Sequence, residues 1–211
     1  MDAKNIYNLI ILDESGSMSS IERQAVSAVN ETIQGVRNAQ KVNPQQNYYI
    51  SLVVFEGDGV KGVRTVRDRV PVENIDDIRP EEYCPGSCTP LYDAMGLSIN
   101  ALDKNTKKND LVLVTIITDG MENSSSEYSG ATIKSLVSRK RECGWTFAYI
   151  GANQDAVEVA RELEIKNALN FEASEEGTEE MGNTLAECTV NFCMAAPCGC
   201  LEDADGFFES K

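Results

Sequence analysis

Four apolar runs constrain this chain most: "IYNLIIL" (6–12), "YYISLVVF" (48–55), "LVLVTIIT" (111–118) and "WTFAYIG" (145–151). None shows a sustained polar alternation. Such runs suit strands buried on both faces, as in a parallel sheet covered by helices. A short fifth run, "ALNF" (168–171), follows. The segment "VRTVRDRVPV" (63–72) differs. It mixes Arg with Val and contains Pro71, so it reads as an exposed edge strand.

Helical patterns fill the intervals. Ser19 and Glu22 have the S-x-x-E spacing of a capping box, and Ile21, Ala25, Val29, Ile33 and Val36 recur behind them at helix spacing. Thr89 precedes Pro90, which suits a first helical position, and Leu91, Ala94, Met95, Ser98, Ile99 and Leu102 share one face. Ser129 is placed to start a helix carrying Ile133, Leu136 and Val137. Asn153 is placed to cap one carrying Ala156, Val157, Ala160 and Leu163. A last helix shows Met181, Leu185, Cys188 and Phe192, and from Pro197 the pattern turns irregular.

Strand–helix alternation predicts an α/β fold: a doubly wound, mostly parallel sheet with one antiparallel edge strand and helices on both faces. A length of 211 residues fits one domain with an appendage, drawn as a domain over 1–196 and an irregular tail over 197–211. In doubly wound sheets ligands lie outside the carboxyl ends of the strands. That rule directs attention to 13–17, 119–123 and 151–154.

Composition narrows the partners. The net charge is −15 with no histidine, so a basic face for nucleic acid is not expected. Residues 153–211 alone hold 14 acidic and three basic side chains, read as a solvated surface. No run approaches the roughly 18 apolar residues of a membrane span. The start, "MDAKNIYN", lacks a basic, apolar export signal, so the expected compartment is the cytoplasm. Seven cysteines, an odd number, fit reduced thiols there. Four fall in "CTVNFCMAAPCGC", but their spacings are not the paired CxxC of zinc ribbons, and Cys188 falls on the helix stripe.

Chemistry concentrates at two strand ends. Asp13 closes the first apolar run in "DESGS" (13–17), and Asp119 closes the third in "IITDGMEN". Two carboxylates at one sheet edge, with hydroxyls of Ser15, Ser17 and Thr89 and some waters, can fill an octahedral Mg²⁺ shell. Taken singly, Asp13 and Ser15 are possible helix caps, Thr89 a cap before Pro90, and Asp119-Gly120 a turn. Ser19 or Ser20 already fits the cap, which leaves the earlier pair surplus. The alternative chemistry is Mg²⁺-dependent phosphoryl transfer, or a receiver-like phospho-acceptor, through a strand-end Asp. Asp-phosphatases use D-x-D, whereas residue 15 is Ser. A receiver needs an early acidic pair and a late-strand lysine, whereas the fourth run ends in Gly151-Ala152. Neither GxGxxG nor GxxxxGK[ST] occurs, and no histidine is available for a hydrolytic triad.

Together D-x-S-x-S at 13–17, Thr89 in "CTPLYDA" and Asp119 in "ITDG" resemble the metal-ion-dependent adhesion site of the von Willebrand factor type A domain. The resemblance spans roughly residues 5 to 195. It implies that Ser15, Ser17 and Thr89 donate hydroxyl oxygens to a metal, which Asp13 and Asp119 bind directly or through water. It implies Mg²⁺, with Mn²⁺ or Ca²⁺ as substitutes, no catalysis, and a protein partner that supplies a Glu or Asp carboxylate. Neutral hydroxyls around a cation leave it electrophilic, which favours a visiting carboxylate. The stretch "AYIGANQDAVEVARELEI" (148–165) also resembles stand-alone bacterial members of that family. This implies an intracellular module in a multiprotein assembly. Glu14 occupies the motif's free position and is expected in solvent. Glu122 either reaches the site or is solvated. Tyr83, Pro85, Pro90, Tyr92, Met18 and Met121 flank the three loops and, if exposed, would ring the site with apolar area.

Overall fold

The computed structural model describes residues 3–152, 156–195 and 206–208. Six strands form one sheet: β1 (Asn5–Asp13), β2 (Asn47–Phe55), β3 (Val63–Pro71), β4 (Leu111–Thr118), β5 (Thr146–Ala152) and β6 (Asn167–Phe171). Their spatial order is β3-β2-β1-β4-β5-β6. All neighbouring pairs run parallel except β2 and β3, which are antiparallel. The edge strand expected at 63–72 is therefore β3. A bulge interrupts its pairing near Leu52, where Arg69 adopts a left-handed φ of 47° and donates its N–H to Ser51 Oγ at 2.9 Å.

Alternation along β1 explains the two layers. Ile6, Ile10 and Leu12 enter one core, under helices α1 (Glu22–Val42) and α5 (Glu175–Ala195). Tyr7, Leu9 and Ile11 enter the other, under α2 (Leu91–Asp103), α3 (Gly130–Glu142) and α4 (Ala156–Glu162). A strand buried on both faces must be apolar throughout, as its sequence is. Small residues let α1 and α5 approach closely. A Cβ on Gly182 would lie 2.9 Å from Ala28 Cβ, and one on Gly35 2.9 Å from Val190 Cγ2.

Several helix starts differ from expectation. The Ser19–Glu22 capping box does not form. Gly16–Ile21 is a 3-10 turn in which Ser19 Oγ donates to the Gly16 carbonyl at 2.8 Å, and α1 begins at Glu22 without a side-chain cap. Ser19 lies inside that turn, so it cannot take the non-helical position that a cap requires. Ser129 does cap α3, accepting from Thr132 N. Asn153 lies outside the described residues. So does most of the tail, with Cys198 and Cys200, but Phe207 is buried against the first core and its N–H donates to Asn167 Oδ1 at 3.0 Å.

Successive strands are added outward from β1 on both sides, so the strand order reverses between β1 and β4. A crevice opens at such a reversal, outside the carboxyl ends of the two strands. Leu12 pairs with Ile117, which sets Asp13 and Thr118 side by side at that opening.

Candidate metal centre

Asp13 is fully buried at the end of β1. Its Oδ1 accepts the Ser15 N–H at 2.7 Å, and its Oδ2 accepts the Thr118 hydroxyl at 2.5 Å. The turn this creates directs Ser15 and Ser17 to one side, with their hydroxyls 3.3 Å apart. Ser17 Oγ donates to Asp119 Oδ1 at 2.6 Å across the crevice. Thr89 arrives from the loop before α2. A Cβ placed on Gly120 would sit 2.9 Å from Thr89 Oγ1 and 3.6 Å from Asp13 Oδ2. Thr89, Asp13, Ser15, Ser17 and Asp119 thus converge on one small, oxygen-lined space that requires glycine at 120.

Neighbouring loops fix Thr89. Its N–H donates to Asn123 Oδ1 at 2.9 Å, and its carbonyl accepts the Asn123 N–H at 3.2 Å. Gly16 N–H donates to the Ser87 carbonyl at 3.2 Å, and a Cβ on Gly16 would come within 2.5 Å of the Gly86 oxygen. Glycine at 16 is therefore a packing requirement of two touching loops.

Electrostatically the space is short of positive charge. Burial pushes the Asp13 carboxyl up to about 6, against the hydrogen bonds from Thr118 and Ser15, and nearby Asp119 raises it further. Burial also raises Asp119, opposed by the Ser17 hydroxyl. Among the described residues no Lys or Arg pairs with either carboxylate. Nor does any group of three or more His, Cys, Asp or Glu stand ready to hold a metal. The donor set is two carboxylates and several hydroxyls, all hard oxygens, and it fits a hard divalent cation that retains water.

Three acids at this end take roles that the sequence did not indicate. Glu14 is buried, not solvated: its two carboxylate oxygens take Arg64 Nη2 at 2.9 and 3.0 Å, and Oε1 also accepts the Cys84 N–H at 2.6 Å. Glu122 neither enters the cluster nor faces solvent freely. It accepts from Ser124 N, Ser125 N and Ser125 Oγ, and it caps α2 by accepting the Tyr92 N–H at 2.9 Å. Pro90, expected as the first helical residue, is the cap position itself. Asp93 drew no attention in the sequence. It is fully buried and accepts backbone N–H groups of Ser126, Glu127 and Tyr128 at 2.7–3.0 Å. Burial alone would raise its carboxyl, but these donors hold it below the ordinary value. Thr118 was missed as well. Its only signal was position, one residue before a strand-end acid.

Most of the residues that would form an apolar ring if exposed are not exposed. Met18 and Tyr83 are buried core residues, and the Tyr83 hydroxyl donates to the Asp13 carbonyl at 2.5 Å. Pro90 is buried, and Pro85 and Tyr92 are half-buried. Met121, at 71% exposure, is the large apolar side chain that projects beside Asp119. Cys84 and Cys88 are exposed free thiols, and Cys188 and Cys193 are buried ones. Tyr149 and Ile150 are core, as expected.

No protein-family model matches the chain, and no curated protein matches its sequence. Solved structures do match. The pilus adhesin SpaC from Lactobacillus rhamnosus GG is similar at a TM-score of 0.68 and 13% identity, over 90% of this chain and 31% of that one. A von Willebrand factor type A protein from Catenulispora acidiphila gives 0.54 and 15%, over 92% and 43%. The SpRpn10 VWA domain gives 0.55 and 10%, over 84% and 93%. The chain thus spans about a third to a half of the first two and nearly all of the third. At these identities the likeness is one of architecture, and in architecture this chain has the von Willebrand factor type A fold.

Proposed function

We propose that this chain is a divalent-metal-dependent protein–protein interaction module rather than an enzyme. Asp13, Ser15, Ser17, Thr89 and Asp119 would hold Mg²⁺, for which Mn²⁺ or Ca²⁺ would substitute. A Glu or Asp side chain of a partner protein would complete the coordination. The metal would supply Lewis acidity toward that carboxylate. The residues do the rest: Asp13 and Asp119 provide charge, the hydroxyls provide neutral oxygens, and Thr118 orients Asp13. The observation that carries this reading is the buried Asp13 carboxylate, facing hydroxyls and a second acid, with no Lys or Arg at ion-pair distance among the described residues.

The reading extends to one interaction domain over 1–196, acting in a cytoplasmic assembly like a stand-alone bacterial member of the family. Five free thiols among the described residues support a reducing compartment. No described helix is long and apolar enough to cross a membrane. Retention of host proteins on the immobilised chain, with Mg²⁺ and with EDTA, tests the reading. A carboxylate-dependent partner should be held only with metal, and lost with Asp13→Ala. Metal-independent retention, or a phosphatase turnover abolished by Asp13→Ala, would contradict it.

A further inference from the structure

We infer that Glu14 and Arg64 are positioning residues that clamp the Thr89 loop onto the metal seat. This rests on the reading of that seat given above. The Glu14 side chain is only 4% exposed and lies next to Asp13 in the chain. A carboxylate buried there needs a partner or becomes costly. Arg64, from the edge strand β3, reaches across to both Glu14 oxygens and also donates to the Glu82 carbonyl at 3.0 Å. With its charge met, Glu14 spends its remaining capacity on the loop. Oε1 takes the Cys84 N–H, and the Glu14 backbone carbonyl takes the Gly86 N–H at 2.7 Å.

The loop is gripped from the other side too. Glu56, just beyond the end of β2, accepts both the N–H and the hydroxyl of Ser87, at 3.1 and 3.2 Å. A Cβ on Gly86 would fall 2.3 Å from Glu56 Oε2, so the chain threads tightly between the two acids. After Ser87 only Cys88 intervenes before Thr89. The position of the Thr89 hydroxyl is thereby tied to β1 and β2, and through Arg64 to the sheet edge.

Arg64→Gln separates this role from simple charge. Arg64 is half-exposed, so its replacement leaves the cores intact. By charge alone, removing a cation near two acids should tighten Mn²⁺ binding. Positioning predicts the opposite: roughly 10-fold weaker Mn²⁺ binding, as for outer partners of metal ligands generally. It also predicts faster amide exchange at Cys84 and Gly86 in the metal-free protein. Arg64→Lys keeps the charge on a donor of different shape and should recover part of both. Mn²⁺ affinity of Arg64→Gln equal to or above wild type overturns the inference, as does unchanged exchange at the two amides. If the wild-type chain bound no Mn²⁺, the metal reading would fall. Exchange alone would then decide whether Glu14 and Arg64 hold the loop.

Discussion

Replacing Asp93 with Ala should destabilise this protein far more than its place near a helix start suggests. Asp93 is fully buried in the first turn of α2, and its carboxylate gathers the N–H groups of Ser126, Glu127 and Tyr128. Alanine would leave these three donors without their acceptor. An orphaned buried donor costs about 1–3 kcal/mol. The 122–129 loop is half-buried and can reopen partly to water, so the low end applies, and the sum is about 3 kcal/mol. For a chain of this size about 2–4 °C of thermal midpoint accompany each kcal/mol, which gives about 6–12 °C. Asp93→Asn keeps one oxygen acceptor and should lose about half as much. Calorimetry of the metal-free protein measures both. A drop below about 2 °C for Asp93→Ala would refute the reasoning, because the N–H groups would then have found other partners at no cost. The same loop carries Asn123, which holds Thr89, so exchange at the Thr89 amide should quicken in parallel.

Two further predictions follow from packing and charge. Gly182→Val, set against Ala28 where even a Cβ lies at 2.9 Å, should overpack the α1–α5 contact by about 2 kcal/mol, and Ala28→Gly should restore part of the lost midpoint. Glu82 is held down at about 2, chiefly by the Arg67 guanidinium and then by the Arg79 N–H, from an ordinary value of 4.5. A depressed carboxylate stabilises the fold above its unfolded value and loses that contribution as pH falls through its folded one. The wild-type chain should therefore lose on the order of 1 kcal/mol between pH 4.5 and about 2 from this group, and urea melts of Arg67→Gln should show a shallower slope over that window.

What the sequence made legible follows from local pattern. Buried strands announce themselves as apolar runs because both faces of a central strand meet helices, and each expected run became a strand. Pro71 and the Arg residues marked β3 as an edge. That Asp13, Thr89 and Asp119 would lie near one another was legible because Asp13 ends a strand, Asp119 directly follows one and Thr89 stands just before a helix. Glu14 was misjudged because its partner, Arg64, lies 50 positions away, and nothing local told it from a solvated acid. Asp93 was missed for a like reason: its N–H donors on Ser126, Glu127 and Tyr128 lie 33 to 35 positions away. Glu122 was left open between the site and solvent, and the Tyr92 N–H that it caps lies 30 positions back. Sequence alone did not tell whether Met18 faces the rim or the core; the 3-10 turn places it in the core. Local periodicity sees strands and helices; it does not see where two loops touch.

The most direct test of the central claim is Mn²⁺ titration of the purified chain, followed by electron paramagnetic resonance with Mg²⁺ as competitor. The account predicts one Mn²⁺ site, displaced by Mg²⁺ and abolished by Asp13→Ala, with a spectrum that changes when a carboxylate such as glutamate is added. Undiminished binding in Asp13→Ala, or no saturable Mn²⁺ site in the wild-type chain, would contradict it.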